Sequence, residues 1–278
     1  MLKLLGARPV GPWELTAVLR GLDTDPIATC MVAARVQRHG LSPTAIRGEL
    51  WSRGAVGRSL CFSGGNLVPL WGKREDLHTF ADRALRHPRR CSAIVGRTEL
   101  AIPLWEQLAS EWGPPREVRP EQPLLALSGP PRIEPDLRVR QVRAAELEPY
   151  LAAATAMFIE EVGVDPRAHD GGAAYRDRIR GIIASGAAWA RFEDGEVVFK
   201  AEIGAQSDQV SQINGVWVSP QLRGGGLGTA GTATIAQAIQ REGRVPSLYV
   251  NAYNHAARRS YEKIGFTQVA TFSTILID

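Results

Sequence analysis

The sequence predicts a mixed α/β fold with a mixed sheet, laid down twice in tandem. Three observations carry this. The proline-rich stretch Ser128-Gly129-Pro130-Pro131-Arg132-Ile133-Glu134-Pro135 reads as a linker in a chain of 278 residues. On both sides of it, helical and strand-like stretches follow in one order, and repeated order implies a repeated fold. The segment Arg223-Gly224-Gly225-Gly226-Leu227-Gly228-Thr229 sets a glycine turn between a strand and a helix, and the first half has no counterpart. The expected domains are therefore residues 1–130 and 136–278, the N-terminal one degenerate.

In the first half, Trp13 to Arg20 and Asp25 to His39 have helical character. Gly48 to Ser52, Arg58 to Phe62 and Asn66 to Trp71 read as three strands. A helix from Glu75 to Leu85, a strand from Cys91 to Val95, a helix from Glu99 to Glu111 and a strand from Pro123 to Leu127 follow. In the second half, Leu137 to Val142 alternates as a strand. Glu148 to Glu161 is helical, with Pro149 in the first turn, where proline is tolerated. Ala187 to Phe192 is a strand ending in the turn Glu193-Asp194-Gly195, and Glu196 to Ile203 is its hairpin partner. Val210 to Val218 is the next strand. A helix from Thr229 to Gln240, a strand from Ser247 to Asn251, a helix from Ala256 to Ile264 and a strand pair from Phe266 onward complete the half.

Composition narrows the class. Apolar residues make up 44% and charged residues 22%, as in globular proteins. No apolar run reaches the ~20 residues that span a bilayer, and the N-terminal apolar stretch is too short for a signal peptide. These features point to a cytoplasmic protein without a membrane partner. Cys30, Cys61 and Cys91 are widely spaced and have no metal-type pairing, so they read as buried thiols in a reducing compartment. The net charge of +4 is modest and scattered, and calls for no nucleic acid. Arg86-His87-Pro88-Arg89-Arg90 is the densest basic cluster, read as a solvated helix end, with an anion site as the alternative.

The glycine turn follows the apolar strand Gly215-Val216-Trp217-Val218. Glycines let the backbone curl with its N–H groups inward, and a helix start adds free N–H groups and the positive end of a dipole. Together they form a pyrophosphate cradle, although a purely structural turn has the same composition. After Trp71, only Gly72-Lys73-Arg74 precede the helix. The second motif is Asn254-His255-Ala256-Ala257-Arg258-Arg259-Ser260-Tyr261-Glu262-Lys263-Ile264-Gly265-Phe266. In the first half, Trp105-Glu106-Gln107-Leu108 lies over Tyr261-Glu262-Lys263-Ile264, and Thr98 over Asn254.

The two motifs together resemble the GNAT superfamily of N-acetyltransferases. The element order matches across essentially all of residues 136–278. The whole-chain layout resembles actinobacterial two-domain members, whose N-terminal domain has no assigned role. Arg223, Gly226 and Gly228 match the superfamily's pattern of Gln or Arg, two residues, Gly, one residue, Gly or Ala. Gln221, Gly224 and Gly226 match it in a second frame. The resemblance implies acetyl-CoA as co-substrate and no metal. It implies that backbone N–H groups from Arg223 through Gly224, Gly225, Gly226 and Gly228 to Thr229 bind the pyrophosphate. It also implies that the strand Val216 to Val218 splays from Leu248-Tyr249-Val250, with pantetheine between them and an N–H near Val218 on the thioester carbonyl. Trp217 and Tyr249 read as packing residues.

By the same resemblance, Tyr261 is the acid that protonates the departing thiolate, and Asn254 bonds the pantetheine amide or caps its helix. Glu160, Glu161 and Glu202 are the candidate bases, beside a water chain; His255 reads as a surface residue. The implied activity is direct transfer of an acetyl group from acetyl-CoA to a primary amine, without a covalent enzyme intermediate. The acceptor is an amine-bearing small molecule or protein, and Glu160-Glu161 suits a cationic one such as a lysine, polyamine or aminoglycoside. Two alternatives stand beside this reading. One is a longer-chain or amino-acid N-acyltransferase, since the layout also resembles the glycine N-acyltransferase-like group. The other is an acyl-CoA-binding sensor without turnover. A homodimer is compatible with the spare N-terminal half.

Overall fold

Backbone hydrogen bonding is satisfied in the same sequence of elements twice over. The computed structural model describes residues 6–168 and 170–278. Its chain divides into two compact units. The first takes its described residues from the stretch up to Leu125 and adds Tyr249–Tyr253 and Gln268–Asp278; the second is Ala126–Leu248 with Asn254–Thr267. These bounds differ from a division at 130 and 136, because residues from near the chain end pack with the first unit. No helix among the described residues is long and apolar enough to cross a membrane.

The first unit contains β1 (Arg8–Pro9), α1 (Leu15–Leu22), α2 (Pro26–His39), α3 (Pro43–Ile46), β2 (Gly48–Ser52), β3 (Leu60–Gly64) and β4 (Asn66–Trp71). It continues with α4 (Arg74–Leu85), β5 (Ala93–Arg97), α5 (Thr98–Trp112) and β6 (Glu117–Ala126), and takes in β12 (Thr267–Leu276) from residue 268. The strands lie in the order β1-β2-β3-β4-β5-β12-β6. The sheet is covered on both faces. Leu60 and Phe62 join one apolar cluster with Val18, Leu22 and Val36, whereas Cys61 between them joins another with Phe80, Leu104 and Leu108. Period-two alternation with both sides buried is the mark of a sheet enclosed by helices. All three cysteines are buried free thiols.

The second unit contains β7 (Arg140–Gln141), α6 (Leu147–Val162), α7 (Ala173–Ala184), β8 (Ala188–Glu193), β9 (Glu196–Gln206) and β10 (Val210–Val218). It then has α8 (Leu227–Arg241), β11 (Val245–Tyr249, up to Leu248) and α9 (His255–Ile264). The order in its sheet is β7-β8-β9-β10-β11. The β8–β9 hairpin turns on Asp194 and Gly195, both at positive φ (51° and 83°), the geometry that a two-residue turn needs to match strand twist. Helix α6 ends on Gly163 in the left-handed conformation, its N–H bonded to the Ile159 carbonyl. An apolar cluster of Tyr150, Ala154, Ile179 and Ile183 seats α6 and α7 on Ala188 and Ala190 of β8.

The units share more than element order. Arg8 donates two hydrogen bonds to Glu14, at 2.7 and 2.7 Å, while Glu14 accepts from the Gly11 N–H at 3.0 Å. Arg140 does the same with Glu146, at 2.8 and 2.6 Å, and Glu146 accepts from the Arg143 N–H at 2.8 Å. In each unit this bidentate pair ties the first strand to the helix start that follows. Trp105 and Leu108 on α5 are buried, as are Tyr261 and Ile264 on α9, which supports the sequence overlay of those helices.

Three expectations need correction. Of Leu137 to Val142, only Arg140–Gln141 is strand, and Leu137 is 88% exposed. The strand pair expected after Phe266 is one unbroken strand, β12, because Thr267 to Leu276 contains no turn residue. In the first half, β6 begins at Glu117, well before Pro123, so two prolines lie inside a strand.

Two outcomes follow from this packing. A Cβ on Gly231 of α8 would lie 2.7 Å from ring carbons of the fully buried Phe199. Gly231→Ala should therefore destabilise by about 1–3 kcal/mol through overpacking, less the ~1 kcal/mol that alanine gains in helix propensity. Urea denaturation reads this; a raised midpoint would show that α8 lifts off the sheet freely. The Arg140 guanidinium, with the Arg143 N–H, holds the Glu146 carboxyl down at about 2. A depressed carboxyl stabilises the fold above its unfolded pKa and loses that contribution as pH falls toward the folded value. Glu146→Gln should thus cost about 1 kcal/mol at pH 7 and progressively less between pH 4.5 and 2. Parallel stability curves for the two proteins across that range would contradict the assignment.

Candidate active site

The central feature of the second unit is the break where β10 leaves β11. The parallel ladder runs only from Val210–Val245 to Gln212–Ser247. Beyond it, β10 keeps pairing with β9, but the register shifts: Asn214 faces Glu202 and Trp217 faces Lys200. Three steps on β10 thus answer two on β9, a one-residue bulge. Gly215 occupies it at φ 57°, and a Cβ there would crowd Lys200 Nζ at 3.2 Å and Met157 Sδ at 3.4 Å. Left-handed backbone and close approach both call for glycine. Val216 and Val218 lie just past the bulge, on the part of β10 that has left β11, and are half-buried.

The strand then leads into the glycine turn. Gly224 and Gly226 have φ of 81° and 87°, and Gly226 is the N-cap of α8. The first bond of the helix runs from the Ala230 N–H to the Gly226 carbonyl at 2.9 Å. The N–H groups of Leu227, Gly228 and Thr229 precede that bond and have no partner within the helix. The start of α8 lies against β10: a Cβ on Gly228 would meet Val218 Cγ2 at 3.3 Å.

Arg223 turns its side chain away from the turn. Its Nε donates to the Val218 carbonyl at 3.1 Å and its terminal nitrogen to Glu160 at 2.7 Å. That guanidinium holds the Glu160 carboxyl below the usual carboxylate range. Glu161, next on α6, is exposed, and its charge is felt at the Tyr261 phenol, Lys200 and Tyr175. Burial, with that charge in second place, pushes the Tyr261 phenol well up. Tyr261 is 6% exposed, its ring edge-on to Phe266 at 6.1 Å. Asn254 caps α9, accepting from the Ala257 N–H at 3.1 Å, so its side-chain oxygen serves the helix. His255 is exposed.

Glu202 lies in a buried polar cluster that the sequence showed only in part. It accepts from Lys200 Nζ at 2.9 Å and from the Tyr150 hydroxyl at 3.4 Å; Arg178 of α7 stands 3.8 Å away. Lys200 is fully buried, with Met157 Sδ at 3.4 Å and the Tyr150 ring centre at 5.4 Å. Burial pushes the Lys200 ammonium down, opposed by Glu202. Burial and the Glu202 charge push the Tyr150 phenol up. Sequence reading missed Lys200, Tyr150 and Arg178. Two opposite charges two residues apart on an otherwise apolar strand, facing one side, were the available signal for Lys200. Tyr150 and Arg178 come from helices and had none. Trp217 packs into the α6–α7 cluster, and Tyr249 in the first unit packs on Phe272 at 5.6 Å.

The first unit makes the same pairings without the same site. Its β4 and β5 also pair in parallel only at Asn66–Ala93 and Leu67–Ile94. Yet β4 runs almost directly into α4, and the Asp76 side chain accepts from the Lys73 N–H at 2.8 Å, while Arg53 reaches Asp76 at 3.4 Å. A carboxylate of the chain itself already occupies the positive end of that helix.

Residues 200–274 match the family described as FR47-like protein, and residues 48–150 match a domain of unknown function, DUF4081. No curated protein matches the sequence. Solved structures of similar fold include an acetyltransferase from the GNAT family of Colwellia psychrerythraea, 10% identical, covering 98% of this chain and 99% of that one with a TM-score of 0.58. A Drosophila protein is 12% identical over 98% of each chain with a TM-score of 0.66. A GCN5-related N-acetyltransferase from Sphaerobacter thermophilus is 16% identical, covers 96% of this chain and 93% of that one, and has a TM-score of 0.56. At such identities the likeness is one of fold. This chain is a two-domain protein of the GNAT fold, with a DUF4081 segment in its N-terminal half and an FR47-like segment in its C-terminal half.

Proposed function

We propose that this chain transfers an acyl group, with acetyl-CoA as donor, to the amine of an acceptor by direct attack. The observation that carries the reading is the juxtaposition of a broken β10–β11 ladder with a glycine turn at the N-terminus of α8. The turn suits a pyrophosphate: Gly224 and Gly226 take left-handed conformations, no side chain stands over Gly225, and free N–H groups at Leu227, Gly228 and Thr229 sit at the positive end of the α8 dipole. The parted strands offer β10 backbone at Val216 and the Val218 N–H for an extended amide-bearing chain, the Val218 carbonyl being taken by Arg223. The thioester supplies an activated carbonyl: a C–N bond forms as the C–S bond breaks, the amine gives up a proton and the thiolate takes one.

The residues divide the remaining work. A backbone N–H near Val218 polarises the carbonyl. Tyr261, kept protonated by burial, holds the proton that the leaving group takes. Of the three carboxylates, Glu160 is engaged by Arg223 and held low, which makes it a poor proton acceptor. Glu161 remains as the acceptor of the amine proton, since Glu202 is likewise engaged, by Lys200 at 2.9 Å. Asn254 serves the α9 cap.

Thiol release from acetyl-CoA across a panel of amines tests the activity itself. Calorimetry with coenzyme A should give one site per chain, because Asp76 fills the α4 terminus; two equivalent sites would contradict this. Gly225→Asp places a negative charge in the turn at a position without positive φ, where an added Cβ would meet only the Leu222 carbonyl at 3.5 Å. Coenzyme A binding should be lost while the thermal midpoint holds; unchanged affinity would reduce the loop to a simple turn.

Tyr261→Phe should lower kcat by roughly 10²-fold, at the low end for a general acid since a thiolate leaves readily, with little change in acetyl-CoA affinity. Wild-type turnover at saturating substrates would make Tyr261 a packing residue.

A further inference from the structure

Beside the bulge in β10, the second unit holds an open cavity of about 360 Å³, lined by α7 on one side and by β9 and β10 on the other. Its volume lies in the range of small-molecule sites, roughly 300–1,000 Å³. Its charges differ in depth. Glu202 is only 5% exposed and lies at the floor, with Lys200 behind it at 2.9 Å. Arg178 is 55% exposed and stands at the mouth, 3.8 Å from Glu202. The Asn214 side chain completes the β10 wall immediately before Gly215, the bulge residue.

Two glycines keep this space open. Gly181 lies in the middle of α7, where glycine costs up to ~1 kcal/mol relative to alanine. A Cβ at Gly181 would meet nothing within 4 Å, so no packing demand explains it. Gly204 lies under the Asn214 amide, where a Cβ would come within 2.1 Å of Asn214 Nδ2. Both line the cavity.

Resting on the acyltransferase reading, we infer that the acceptor is a free amino acid, or a small molecule with amine and carboxylate on neighbouring carbons. Glu202 receives the ammonium at the floor. Arg178 is free enough to swing outward and grip the carboxylate, as guanidinium and carboxylate pair bidentately. A polyamine or a protein lysine side chain fits poorly: it brings only positive charge to a cavity lined by Arg178, whose single carboxylate Glu202 is backed by Lys200. This narrows the cationic acceptor suggested by Glu160-Glu161, and Glu160 is in any case turned to Arg223. The ammonium then lies against the Glu202 carboxylate, across the β10 bulge from Val216.

The test titrates the intact chain by calorimetry with matched pairs: leucine and isoamylamine, lysine and cadaverine, phenylalanine and phenethylamine. At least one amino acid should bind roughly ten- to a hundredfold more tightly than its decarboxylated partner, the usual range for a hydrogen bond to a charged group. Arg178→Met should erase that preference while leaving the amine's affinity within about threefold, since only the carboxylate grip is removed. Gly181→Phe, on the exposed side of α7, should block both members of the pair by filling the cavity. Equal binding of amine and amino acid, a preference that survives Arg178→Met, or no binding by any pair overturns the inference. Thiol release with the same panel separates the two proposals. Turnover of amines without preference for amino acids overturns this inference and supports acyl transfer. Amino-acid binding that shows the Arg178 dependence without any thiol release supports the cavity assignment and overturns acyl transfer.

Discussion

The second unit is organised by the hydrogen-bonding demand of one strand that has lost a neighbour. Buried backbone groups are almost always paired, and an unpaired one costs about 1–3 kcal/mol. β10 nonetheless stops pairing with β11 after Gln212–Ser247 and bulges against β9 at Gly215. The parting is held by what surrounds it. Met157 and Lys200 close on Gly215, the start of α8 lies against Val218, and Arg223 bonds back to the Val218 carbonyl. The end of the β10–β11 ladder and the start of α8 are thus brought together at Val218.

The first unit shows that the fold alone does not make such a site. It repeats the Arg–Glu tie at its first strand, the antiparallel run β1 to β4, and the short parallel ladder between β4 and β5. What differs is the junction after that ladder. The second unit places a glycine turn there; the first places Gly72, Lys73 and a helix whose positive end is taken by Asp76. One carboxylate in the chain removes the electrostatic reason for an anion to bind. The two units share an architecture and differ in a few residues at one helix terminus.

Burying Lys200 against Glu202 is not what stability alone selects, since apolar residues of like volume hold a core at least as well as a buried ion pair. The cluster places a carboxylate of fixed position at the floor of a cavity beside the bulge. Removing either partner leaves a buried charge unmatched, and the lysine fixes the place of the acid. Tyr150, reaching Glu202 from α6, adds a second hold on the oxygen that Lys200 binds.

Much of this was legible in the chain itself. Period and punctuation gave the strands β2, β4, β8 and β10, the helices α2, α4, α6 and α9 and the Asp194-Gly195 turn to within a few residues, because local propensity and tertiary burial agree there. The glycine run set out the α8 terminus, since glycine is favoured at the positive φ of 224 and 226. The tandem repeat was visible in element order, and Arg8 to Glu14 against Arg140 to Glu146 would have strengthened it. Tertiary structure decided the rest. It turned Arg223 to Glu160, placed Asp76 over the α4 terminus, gathered Lys200, Glu202, Tyr150 and Arg178 from a strand and two helices, and packed β12 with the first unit. Those facts concern which side chains meet across tens of residues, and sequence periodicity says which face a residue takes, not which partner waits there.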